Sequence, residues 1–226
     1  MVTSRIVAPP PMVGVKYRMH LDAALGARVF ATRAGGGEKA MTVRSPSRTR
    51  DASAMAPLTR RVALHLAWRL EDDVREGRSV DVAAVVPLAT SRSVESRAIG
   101  AALLPAAVGS VRARRRCLLR LLSDRAELVR VAALEATSIV ADALLFARAA
   151  HGLEDDSPLV RAYAAETVLR LDRRRAMPLV RHRLPRERSS LARVGLLGVL
   201  VEGGDGAALA PLAALLQSRQ HRVRCA

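Results

Sequence analysis

From Pro57 onward, apolar residues recur at three- and four-residue spacing, the mark of amphipathic helices packed on one side. Before that point no such stripe persists beyond LDAALGARVF, Leu21 to Phe30. The helical region writes one pattern repeatedly. LVRVAALEAT, Leu128 to Thr137, returns thirty-one residues later as LVRAYAAETV, Leu159 to Val168. With the arginine of this segment as a marker, equivalents fall at Arg97, Arg130, Arg161, Arg193 and Arg224, at intervals of 33, 31, 32 and 31. An earlier copy at Arg60 fits if EDDVREGRSV, Glu71 to Val80, forms a longer loop.

A second marker travels with the first. Six residues before three of these arginines stands an acid, Asp124, Asp155 or Glu187, while the other two copies carry Ser91 and Ser218 there. Each marked segment follows another apolar-periodic stretch: Val80 to Thr90, Val111 to Asp124, Val140 to Leu153, Arg174 to Leu184 and Gly206 to Ser218. One unit therefore reads as helix A, a short polar turn, then helix B opening near the arginine. The turns carry start signals. Asp124 with Glu127 has the spacing of a capping box, and Ser157 followed by Pro158 suits a capping residue and a first helical position. Gly203 and Gly204 are suited to stopping a helix.

This two-helix unit of about 31 residues, with an acid at minus six and Val-Arg opening the second helix, resembles the HEAT repeat, in particular the short kind named after phycobilisome lyases. The resemblance covers roughly Pro57 to Ala226. It implies an all-α fold, an α-solenoid of five to six two-helix repeats in which each helical hairpin buries its stripe against the next. It also implies that Asp124, Arg130, Asp155, Arg161, Glu187 and Arg193 form a structural ladder between successive turns. Two departures stand out. The proline usual in the first helix appears at Pro87, Pro178 and Pro211 in different registers, and the Arg193 copy has Ala192 for valine and Gly195 among bulky neighbours. The domain division is then a disordered or non-native extension over residues 1–54 and a repeat domain over 55–226, whose last repeat, at Arg224, is incomplete. An end without a polar cap leaves apolar surface, so self-association through the C-terminal end is an expectation.

Composition narrows the function classes. Hydrophobic residues make up 50% of the chain and aromatics 2%, so the core is built from Leu, Val and Ala. An aromatic-lined ligand pocket has little to draw on. The net charge is +16, carried almost wholly by arginine, since only Lys16 and Lys39 are lysine. Arginine with alanine in such proportion also follows from GC-rich coding. Cys117 and Cys225 lie far apart and support neither a zinc site nor a disulfide framework. No apolar run reaches the roughly 18 to 20 residues that span a bilayer, and no secretory signal opens the chain. A cytoplasmic protein without membrane contact is the expectation.

No catalytic residues, cofactor site or metal site emerge. His151 beside Glu154, Asp155 and Asp156 sits in a turn where acids cap the next helix. The five histidines occupy unrelated registers, and no nucleophile-with-base or phosphate-loop motif appears. A glycosylase-like activity lacks its aromatic cleft, and a bilin lyase-like activity rests on the repeat alone. Two arginine clusters remain: Arg112, Arg114, Arg115, Arg116 and Arg120, then Arg174, Arg175, Arg181 and Arg183, both on A helices. Aligned across repeats they would form an electropositive strip for an anionic partner. The expected function is a non-catalytic protein-protein interaction scaffold with an extended or acidic protein partner lying along the B helices. The alternative is non-specific nucleic-acid binding through the arginine-rich A helices.

Overall fold

A computed structural model describes residues 60–217. The expectations for residues 1–54, for Ser218 and for the copy at Arg224 lie outside the described residues. The described chain is all-α apart from one two-residue strand pairing. The first helix, α1 (Arg60–Arg75), runs through Glu71 to Arg75, so the segment expected as a long loop is helical to Arg75 and turns only at Glu76 to Ser79. Asp72 and Asp73 support this: the carboxylate of Asp72 accepts from Arg75, and that of Asp73 from Arg78 at 2.7 Å, tying the helix end to the turn.

Nine further α-helices follow. They are α2 (Val82–Ala89), α3 (Val94–Leu103), α4 (Val111–Leu121), α5 (Glu127–Val140), α6 (Phe146–His151), α7 (Pro158–Leu171), α8 (Arg173–Arg183), α9 (Ser190–Glu202) and α10 (Leu209–Leu216). Strands β1 (Val80–Asp81) and β2 (Ala107–Val108) pair in parallel, Val80 opposite Ala107, and join the entries to α2 and α4. The extensive packing links near neighbours in chain order: α1 on α3, α3 on α5, α5 on α7 and α7 on α9, with the even-numbered helices laid against them.

Short polar residues start the helices. Ser93, Ser110 and Ser157 each accept from the backbone N–H three residues on, at 3.3 Å, satisfying a donor the helix leaves open. Asp124 does not cap α5 as its spacing with Glu127 suggests. The capping position is Ala126, without a side-chain bond, because Asp124 Oδ1 takes the Ala126 N–H at 2.9 Å and its carboxylate is turned to an arginine of the preceding unit. The stretch expected as one helix over Val140 to Leu153 is also different. Val140 closes α5, Ala141 turns in the left-handed region at φ 52°, and a 3-10 turn, α6 and a second 3-10 turn follow.

The interior is aliphatic. Leu88, Leu118, Leu134, Leu145, Leu196 and Leu197 are among the largest fully buried side chains. Gly195 belongs to this packing: a Cβ there would stand 2.7 Å from Ala162 Cβ on α7, so the missing side chain lets α7 and α9 approach. Gly198, on the same helix, has nothing within 4 Å of such a Cβ. The two glycines should therefore respond oppositely. Gly195→Leu is expected to cost about 1–3 kcal/mol by overpacking. Gly198→Ala is expected to gain about 0.5–1 kcal/mol by restricting the unfolded chain and improving helix propensity. Denaturant titration followed by circular dichroism reads both, and matching signs would contradict the packing of α9 described here.

Candidate functional site

The marker arginines each occupy the fourth residue of a B helix, in the first turn of α3, α5, α7 and α9. From there a side chain leans back toward the helix N-terminus and meets the A–B turn. Three of them make the same set of bonds. Arg97 Nη1 donates to Ser91 O and Arg92 O, both at 3.0 Å. Arg130 Nη1 donates to Asp124 O at 2.8 Å and Arg125 O at 3.1 Å. Arg161 Nη1 donates to Asp155 O at 2.7 Å and Asp156 O at 3.0 Å. The other edge of each guanidinium grips the carboxylate of the next turn side-on. Arg97 reaches Asp124 at 2.7 and 2.9 Å, Arg130 reaches Asp155 at 2.8 Å through both nitrogens, and Arg161 reaches Glu187 at 2.6 and 2.7 Å.

The acids reciprocate. Asp124, Asp155 and Glu187 each accept the backbone N–H two residues on, at 2.9, 2.9 and 2.8 Å. One guanidinium therefore orders its own turn and the following one. Only arginine carries enough donors in one plane for this geometry. Burial would raise these three carboxyls, but the arginine and backbone hydrogen bonds outweigh it and hold all three below the ordinary carboxylate range. Glu187, with its side chain wholly buried, also has Arg183 at 3.2 Å. Arg193 is exposed and has no carboxylate partner among the described residues.

A second row of acids was missed by the sequence reading. Asp81, Asp142, Asp172 and Asp205 precede helices or 3-10 turns of the A type, and each accepts from a backbone N–H just ahead of it. Two of them also bind an arginine of the preceding A helix: Arg115 to Asp142 at 2.5 Å and Arg181 to Asp205 at 2.9 Å. The arginine holds the Asp142 carboxyl below its usual range, against a smaller opposing effect of burial. The signal was present as an acid 24 to 27 residues after an A-helix arginine, a separation close to the 25 to 27 of the B-helix rungs.

These pairings divide the arginine clusters. Arg115 and Arg181 are bound as above. Arg114 Nη2 donates to Ala107 O at 2.6 Å, and Arg183 Nε donates to Leu153 O at 2.8 Å. Arg175 lies over the Phe146 ring, 3.9 Å from its centroid. Arg112, Arg116, Arg120 and Arg174 are exposed and have no ion pair to a described residue. The clusters are also separate. Between α4 and α8 in chain order, the A segment around α6 exposes Leu144, Ala147 and His151, and its one arginine, Arg148, is half-buried and turned to Ser123 Oγ.

Other chemistry is sparse. A cavity of about 320 Å3 beside the Arg130 rung is lined in part by Ser123, Arg148, His151 and Glu154, with Arg148 donating to Ser123 Oγ. Among the described residues no three His, Cys, Asp or Glu side chains converge as metal ligands, and no helix is long and apolar enough to cross a membrane. Tyr163, half-buried on α7, has its hydroxyl pushed up to about 12 by burial and by the nearby Glu135 and Glu166. No protein-family model and no curated protein matches the chain.

Proposed function

We propose that the chain is a non-catalytic protein-protein interaction scaffold built as an α-solenoid of five to six HEAT-like repeats. The observation that carries this reading is the thrice-repeated rung. The residues that recur from unit to unit, Arg97, Arg130 and Arg161 with Asp124, Asp155 and Glu187, are all spent on joining one turn to the next. What varies between units is the outward surface, and that surface is what a partner meets. Packing of each B helix on the following one supports a stacked array in which contacts run between neighbours. An extended protein segment suits such an array better than a small ligand does. A compartment inside the cell fits the two unpaired-in-sequence cysteines and remains part of the proposal.

Non-specific nucleic-acid binding is the second reading, favoured by the row Arg112, Arg116 and Arg120. Residues 60–217 hold 25 arginines against 18 acidic residues, an excess of seven out of the net +16, so more than half of the surplus lies outside the described chain. That share weakens the A helices as the main source of polyanion affinity. Tagged full-length chain, cross-linked in its native host and purified after nuclease treatment, should retain specific proteins. Loss of all captured material with nuclease, or no protein above the control, overturns the scaffold reading.

A further inference from the structure

The scaffold reading leaves open which surface is used and what it takes. Ten large apolar residues are exposed among the described residues, and five of them, Val108, Val111, Leu119, Ile139 and Leu144, fall between positions 108 and 144. Val111 and Leu119 lie on helix α4, Val108 stands just ahead of it, and Leu144 lies in the turn that Arg115 of α4 holds through Asp142. On this helix Val111, Arg115 and Leu119 form one row at four-residue spacing, and Arg112, Arg116 and Arg120 form the adjacent row. The Arg115 to Asp142 bond fastens the first row to the turn that carries Leu144, whose own N–H donates to Asp142 Oδ1 at 3.0 Å. Val111 is 57% and Leu144 is 68% exposed. Three acids flanking the helix in sequence or contact are already engaged: Asp142 by Arg115, Asp124 by Arg97, and Asp81, next to Gly109, by the Ala83 N–H.

Resting on the scaffold reading, we propose that the outer face of α4, with the turn at Leu144, is the docking surface for an acidic protein segment carrying apolar side chains. Val111 and Leu144 receive the apolar groups, and Arg112 and Arg116 meet carboxylates through charge-assisted hydrogen bonds. Charge complementarity selects an acidic occupant. The apolar side chains beside the arginines select protein over a phosphate backbone, which gains nothing from valine and leucine. The basic row is also confined to about 12 Å along one helix, and the next A segment offers no cation row to continue it.

Fluorescence anisotropy on the full chain tests this with a short labelled peptide of Asp, Glu, Leu and Phe, at physiological salt. Arg112→Glu with Arg116→Glu is expected to weaken binding by about tenfold or more, and Val111→Ser with Leu144→Ser by about fivefold. Arg174→Glu, on α8, should stay within about twofold. All these positions are exposed, and unchanged thermal melts confirm that each variant folds. Absence of binding overturns the proposal, as does equal binding of a peptide with serine in place of Leu and Phe. A single-stranded oligodeoxynucleotide that binds as well, indifferent to Val111→Ser with Leu144→Ser, assigns the row to nucleic acid instead. Failure here with specific proteins still captured in the host would move the docking surface elsewhere and leave the scaffold reading standing.

Discussion

Replacing Arg161 with alanine is expected to lower the unfolding free energy by about 2–4 kcal/mol, because it takes the side-on partner from a buried carboxylate and the donor from two carbonyls. The Glu187 side chain has no solvent exposure, and that of Arg161 only 10%, making this the deepest of the three rungs. Without the guanidinium, Glu187 keeps the Ser189 N–H and Arg183, while the carbonyls of Asp155 and Asp156 lose their donor. Lysine restores the charge but not the planar fork, so Arg161→Lys should recover only part of the loss. Arg161→Met with Glu187→Leu removes both charges together and should cost less than Arg161→Ala alone. Chemical denaturation of the three variants gives the comparison. A single-variant loss under about 1 kcal/mol would put the pair on the footing of an exposed ion pair.

Acid should dismantle the same contacts. Asp124, Asp142, Asp155 and Glu187 all titrate below the ordinary carboxylate range when folded. Their contribution is therefore complete above about pH 4, where the unfolded acids are ionised. It is lost as the pH falls through the lower folded values, since the unfolded chain then binds more protons. Melting temperature should be nearly level across neutral and weakly acidic pH and fall steeply below about pH 4. The chain carrying Arg161→Met with Glu187→Leu should fall less steeply than the parent. Equal slopes would mean that the third rung carries no linked proton.

The B helices were readable from sequence because their starts are chemically marked. Ser157 with Pro158 opens α7, and the arginine in the fourth position repeats at a nearly fixed interval. The segment after α5 was not readable. Its turn places an alanine, Ala141, in a left-handed conformation that glycine or asparagine usually signals. The two 3-10 turns around α6 then follow from where Asp142 caps and Gly152 packs: a Cβ on Gly152 would stand 2.9 Å from Ala164 Cβ. The rungs were legible as spacing. Their second function, Nη1 binding two carbonyls of the same turn, left no mark, because carbonyls are present at every position. The arginine clusters misled for a related reason. Sequence shows charge but not what has already claimed it, and Arg115 and Arg181 are claimed by acids 27 and 24 residues away.

Each rung offers the next one the same socket, a carboxylate turned back and two carbonyls turned in. Excising the 31 residues from Arg125 to Asp155 would join Asp124 to Asp156 and keep a complete rung on each side, while the Asp142 partner of Arg115, the Leu153 carbonyl held by Arg183 and the Phe146 ring under Arg175 would leave with the segment. Arg97 would keep Asp124, and Arg161 would find the carbonyls of Asp124 and Asp156 where it formerly held those of Asp155 and Asp156. At the level of the rungs alone the joints are interchangeable, so such a deletion would call for no new pairing of arginine with carboxylate.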